Sequence, residues 1–176
     1  MPHARERVLT SHSKERVLEP ARRQVLRLIT YGLYIVTAAD GDAMAAGTVT
    51  WLSQASFAPP LVMVGLRRDG SVHALVDRVG AFAVNVLAST QRDVASAFLR
   101  PSKIDGNRIN GVPFQRGPAT GAPLLPDLPA WFEARVTDAV RRGDHTVFVA
   151  ELIAWGLRDP QARPLVISDT PWSYSG

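Results

Sequence analysis

Along Leu33-Tyr34-Ile35-Val36-Thr37-Ala38, apolar and β-branched side chains follow one another without helical spacing, and Asp40-Gly41 closes the run with a hairpin-turn pair. That pattern predicts a strand and a tight turn. Upstream, Leu18, Val25, Leu26 and Ile29 recur near helical spacing among charged residues. They predict a short amphipathic helix from Arg16 to Ile29, interrupted near Pro20 and ended by Gly32. Residues 1–15 have no apolar period and are expected to form a mobile arm, with 16–176 as one domain.

Further on, Thr48 and Thr50 alternate with Val49 and Trp51, the period of a strand whose faces are occupied differently, so a second strand is expected from Gly47 to Ser53. Pro59-Pro60 breaks the chain, and Leu61 to Leu66 reads as a more fully buried strand. Ser71 to Val79 is expected to be a helix with Ser71 as N-cap, Ala81 to Leu87 a strand, and Gln91 to Leu99 a helix. Arg100 to Leu128, rich in Gly, Pro and Asn, predicts a long excursion with little regular structure. Trp131–Val140 and Thr146–Trp155 predict an antiparallel hairpin about the turn Arg141-Arg142-Gly143-Asp144, and Pro164–Ser168 a last strand. About six strands without strict β-α alternation fit a mainly β (α+β) fold, a six-stranded antiparallel Greek-key barrel with flanking short helices.

Composition changes this picture only by exclusion. With 46% hydrophobic and 20% charged residues the chain reads as an ordinary globular domain, and the absence of a long apolar run or a signal-peptide core predicts a cytoplasmic protein without a membrane segment. There is no cysteine, so disulfides, Cys-ligated metals and thiol nucleophiles are excluded, and redox chemistry would belong to a bound cofactor. The +4 charge lies in residues 1–30, where seven bases face three acids; a solvated helix face explains it, and no nucleic-acid partner is expected.

The chain lacks G-x-G-x-x-G after a strand, a P-loop, H-E-x-x-H and G-x-S-x-G, and His3, His12, His73 and His145 have no metal-ligand spacing, so no metal is expected. What stands out is Gly47-Thr48-Val49-Thr50-Trp51-Leu52-Ser53-Gln54-Ala55-Ser56-Phe57-Ala58-Pro59-Pro60. Such a segment can leave a strand and offer N–H groups and hydroxyls to an anion or a heteroaromatic ring. Hydroxyls facing water on a barrel strand would give the same composition.

The strand Leu33–Ala38, the double-proline segment running into Leu61-Val62-Met63-Val64, then Phe82-Ala83-Val84-Asn85-Val86-Leu87 and finally Gly143-Asp144-His145, in that order, resemble the flavin reductase-like FMN-binding split-barrel family over roughly residues 25 to 168. The resemblance implies an NAD(P)H-dependent flavin (FMN) reductase moving hydride to flavin N5, with the reductase component of a two-component monooxygenase as one role. The alternative is a non-catalytic FMN-binding electron carrier or sensor. It further implies a homodimer, FMN or FAD as flavin, and NADH or NADPH as donor.

By position, Thr48, Val49, Thr50 and Trp51 are expected along the flavin ring and ribityl chain, Gln54, Ala55 and Ser56 at the ring edge, and Asn85 at a ring or ribityl contact, or else as a buried amide satisfied by backbone groups. Arg67 or Arg68, with Ser71 opening a helix, are the candidates for the phosphate, and Lys103 is a weaker one. His145 is the candidate catalytic residue, orienting flavin or nicotinamide, with a histidine that merely closes a hairpin as the other reading. Many members of the family carry two serines where this chain has Thr50-Trp51. The ending Trp172-Ser173-Tyr174-Ser175-Gly176 also lies outside the pattern and reads either as an anchor or as a cover over a partner's flavin.

Overall fold

The computed structural model describes residues 20–174, so the arm expected over residues 1–15 lies outside it. Among the described residues, helix α1 covers 20–26. Val25 in this helix and Leu28 and Ile29 just after it are 64%, 83% and 48% exposed. The chain then runs through β1 (Tyr34–Asp40), β2 (Ala43–Val49), β3 (Leu52–Ser56), β4 (Leu61–Arg67), α2 (Ser71–Val79), β5 (Ala81–Val86) and α3 (Arg92–Ala97). Five two-residue strands follow: β6 (Ile104–Asp105), β7 (Arg108–Ile109), β8 (Val112–Pro113), β9 (Gln115–Arg116) and β10 (Pro123–Leu124). Two long strands, β11 (Ala130–Arg142) and β12 (His145–Leu157), precede a 3₁₀ turn at Ile167–Asp169.

The main sheet has seven strands in the order β2-β1-β5-β11-β12-β4-β3, all antiparallel, where six were expected. Two of the expected strands differ in kind. The strand expected from Gly47 to Ser53 is two strands, because Thr50 and Trp51 leave the ladder between them. Pro164–Ser168 makes only isolated bridges, Ala88 to Pro164 and Gly32 to Val166; Pro164 has no N–H to extend a ladder and the segment crosses strand ends instead of running beside one. Ser71 is also not a cap: Gly70 holds the N-cap position of α2, with no side chain bonded to the helix end.

β2 and β3 lie at opposite edges of this sheet yet are joined by two residues. Three Cα steps reach at most about 11 Å, so the sheet has to curl until its edges meet at Thr50–Trp51. One apolar cluster fills the curl: Val36, Val64, Phe82, Val84 and Phe148 pack with Val72, Leu75 and Val76 of α2. A second one, with Leu33, Ile35, Leu87, Phe98, Leu125 and Leu165, lies outside it. Neighbouring Ile35 and Val36 enter different clusters, so β1 is buried on both faces and reads as a continuous apolar run.

The excursion is far better anchored than its composition suggests. Fully buried Glu133 accepts from the N–H groups of Ala119 (3.1 Å) and Thr120 (2.8 Å) and from the Thr120 hydroxyl (2.6 Å). Gly117 lies against it, where a Cβ would fall 2.2 Å from Glu133 Oε1. Thr37 donates to the Pro123 carbonyl at 2.7 Å, and Asn85 donates to the same carbonyl and accepts from Leu125 N. Glu133→Ala would strand three donors, two of them backbone N–H groups. It is expected to lower unfolding free energy by about 3 kcal/mol and to release hydrogen-exchange protection around residues 117–122. Unchanged denaturant midpoint and protection would show that the loop is held by something else.

Candidate functional site

The break between β2 and β3 is where polar side chains gather. The Thr50 carbonyl accepts from Leu52 N at 3.0 Å, a tight local turn, and the Trp51 carbonyl accepts from Gly65 N at 2.8 Å. Gly65 permits this approach: a Cβ there would stand 3.0 Å from the indole ring. Trp51 therefore lies across β4 and meets His145, which is paired with Arg67 at the end of the same strand, at a ring-centroid distance of 4.3 Å. Tyr174 stands edge-on to the indole at 5.4 Å and 65°.

His145 is hydrogen-bonded on both nitrogens, Nδ1 with Asp144 Oδ1 and Nε2 with the Tyr174 hydroxyl, each at 2.7 Å. The bond to His145 holds the Asp144 carboxyl below its ordinary range, so it is a carboxylate that only accepts. Burial pushes the Tyr174 phenol up, so it keeps its proton. The network thus assigns the proton of a neutral imidazole to Nδ1, and Tyr174 donates to Nε2.

Around this group opens a cleft of about 680 Å³, the size of a small-molecule site. Thr48–Trp51 form one wall, Gly65–Arg67 and the start of α2 from Asp69 to His73 another, and residues 98–101 and 172–174 the rim. The N–H groups opening α2 carry no side-chain cap, which leaves a partial positive charge at this wall. Arg67 adds charge, tempered by Asp69: Arg67 Nε donates to Asp69 Oδ1 at 2.9 Å, and that bond holds the Asp69 carboxyl below its ordinary range.

Two polar atoms here are buried with no partner among the described residues, Thr50 Oγ1 and Trp51 Nε1. A buried group left unpaired costs about 1–3 kcal/mol, so such a pair on two residues that line one cleft makes them candidates for ligand contact. Thr48, by contrast, is already engaged, its hydroxyl donating to the Ala95 carbonyl at 2.7 Å.

Of the expected site residues, Thr48, Val49, Thr50, Trp51, Arg67 and Ser71 line the cleft, and His145 reaches it through Trp51 and Tyr174. Gln54, Ala55 and Ser56 continue along β3 outside the lining. Asn85 is fully buried elsewhere, donating to the carbonyls of Ile35 and Pro123 (3.3 Å each) and accepting from Leu125 N (2.8 Å). Lys103 is not in the lining. Asp69 and His73 were not anticipated as site residues, and Tyr174 was noted only within the aromatic ending; His73, buried at 9% exposure, binds the Thr146 hydroxyl at 2.8 Å. Among the described residues no cluster of His, Asp or Glu could hold a metal ion, and no helix is long and apolar enough to cross a membrane.

The family model described as flavin reductase like domain matches residues 26–171. The chain belongs to the flavin reductase-like family. It is 32% identical over 162 residues to the NADH-dependent FMN reductase AsuE2 of Streptomyces nodosus subsp. asukaensis, covering 88% of this chain and 85% of that one. A probable flavin reductase of Rhizobium meliloti (strain 1021) is 32% identical over 141 residues; the match takes in 79% of this chain but spans only 44% of the relative's length. Among solved structures, the styrene monooxygenase flavin reductase of Pseudomonas putida S12 superposes with a TM-score of 0.68 at 30% identity, covering 82% of this chain and 90% of that one.

In this flavin reductase-like chain the seat of Trp51 depends on the bare backbone at Gly65. Gly65→Val is expected to displace the indole and destabilise the fold by about 1–3 kcal/mol. The near-UV circular dichroism should change while the far-UV spectrum is retained; an unaltered near-UV spectrum would contradict the packing described.

Proposed function

We propose that this protein is an NAD(P)H-dependent flavin reductase that seats FMN in the cleft between Thr48–Trp51 and the start of α2. The observation that carries the reading is the pair of buried, unpartnered donors, Thr50 Oγ1 and Trp51 Nε1, in a cleft of ligand size. A flavin fits this donor set, since its ring edge carries carbonyl oxygens and ring nitrogens that accept hydrogen bonds. When bound, the flavin supplies the acceptor N5 for a hydride from nicotinamide.

The rest is what the chain's own residues do. Thr50 and Trp51 orient the ring edge. The uncapped N–H groups at Ser71 and the Arg67 guanidinium attract the phosphate, with Asp69 keeping Arg67 in place. Val49, Leu66 and Phe98 line the cleft and exclude water. His145 is held in one tautomer by Asp144 and acts as a positioning residue for Trp51 and Tyr174, because the reaction needs aligned rings more than an acid or base.

A second copy of the chain covers Met63, Val147, Trp155 and Leu157, large apolar side chains of β4 and β12 that are 36–70% exposed in a single copy. The homodimer, in the split-barrel form of the fold, works in the cytoplasm. The solved relative named as a monooxygenase flavin reductase supports a monooxygenase as consumer of the reduced flavin.

Addition of FMN followed by anaerobic NADH or NADPH is expected to bleach the yellow flavin colour; binding without bleaching would make the protein a carrier. Thr50→Val should weaken FMN binding about 3- to 10-fold while stabilising the flavin-free protein by roughly 1 kcal/mol, because it removes a hydroxyl that only the ligand satisfies. Unchanged FMN affinity would place the flavin elsewhere.

A further inference from the structure

The segment that carries Tyr174 is firmly held at its start. Leu165 is buried, donates its N–H to Leu87 O at 2.8 Å and accepts from Leu33 N at 2.9 Å; Ile167 N donates to Tyr31 O at 2.9 Å. The Asp169 carbonyl accepts from Arg92 at 2.6 Å, and Trp172, whose N–H donates to Thr170 Oγ1 at 3.2 Å, packs on the outer apolar cluster. Tyr174 itself is tied by its side chain, with the hydroxyl on His145 Nε2 and the ring edge-on to Trp51 and His145. Residues 172–174 form part of the cleft rim, so this segment is a strap laid over the Trp51–His145 pair.

Two features of the strap bear on how ligands enter. A cleft of about 680 Å³ is matched to one ligand of ordinary size, whereas a flavin reductase has to bring a second ring system to within about 3–3.5 Å of the first. With the strap down, His145 also has no free nitrogen, since Asp144 fixes Nδ1 as donor and Tyr174 occupies Nε2.

We propose that Tyr174 occupies the place of the nicotinamide donor on the Trp51–His145 platform, and that the donor binds by displacing it, so that Tyr174 sets the apparent affinity for the dinucleotide. The inference rests on the flavin reductase reading. Displacement breaks the hydroxyl–imidazole bond and frees Nε2 as an acceptor for the incoming ligand. One such bond shifts an equilibrium by about 2- to 10-fold, which makes the strap a release that a dinucleotide can overcome.

The test is a titration of the full chain, loaded with FMN, with oxidised NAD⁺ and, in parallel, NADP⁺, read by perturbation of the flavin absorbance. Tyr174→Phe keeps the ring and loses the latch; it is expected to bind the preferred dinucleotide about 2- to 10-fold more tightly than the wild type, and Tyr174→Ala at least as tightly as Tyr174→Phe. Nitrogen-15 spectra of His145 give a second readout: Tyr174→Phe should shift the Nε2 resonance before any ligand is added, and saturating dinucleotide should remove the tyrosine bond in the wild type. Equal or weaker dinucleotide binding in both variants, with FMN still bound, would overturn the strap and leave the reductase reading standing. Failure of the wild type to take up FMN would remove that reading and the proposal together.

Discussion

The structure turns on one connection, the two residues that join the opposite edges of a seven-stranded sheet. A link of at most about 11 Å between edge strands forces the sheet to curl, and the curl makes the space that Val36, Phe82, Phe148 and the apolar face of α2 fill. The same link cannot belong to either ladder. Its residues turn out of the sheet, and the Trp51 carbonyl takes its partner from Gly65 across the gap. Curling of the sheet and the placing of two unpartnered polar atoms on residues of the cleft wall thus have one cause.

Polar groups elsewhere in the interior show what a structural role looks like by comparison. Asn85 makes three bonds to backbone groups, Glu133 accepts three from the loop at Ala119–Thr120, and Thr37 closes on Pro123. Each pins the excursion to the sheet and has a protein partner at every polar side-chain atom. Thr50 and Trp51 are buried at the atoms concerned but have no protein partner among the described residues, and it is this contrast, more than their position in a motif, that supports proposing them as flavin contacts.

Much of this was legible in the sequence because it depends on local pattern. The apolar runs of β1, β4 and β5 and the turn before Gly143 locate the strands to within a few residues, and Gly47–Pro60 already stood out for its hydroxyls. The division of that segment at Thr50–Trp51 was not legible, since alternation continues through both residues and only the strand order reveals the edges they connect. Nor could the excursion's order be read from its Gly and Pro content, because its anchors lie on β1, β5 and β11. Asn85, a lone amide in an apolar strand, was open to two readings, and the structure shows the buried amide engaged by backbone groups. Tyr174 meets His145 from 29 residues away, a contact without a sequence signal.

The central proposal is that the link joining the two sheet edges is the flavin seat, and a crystal structure of the protein with FMN bound tests it most directly. The account predicts the isoalloxazine ring between Thr48–Trp51 and the start of α2, with Thr50 Oγ1 and Trp51 Nε1 both donating to it. Flavin bound along Gln54–Ser56 or elsewhere, with those two atoms still unpartnered, would contradict it.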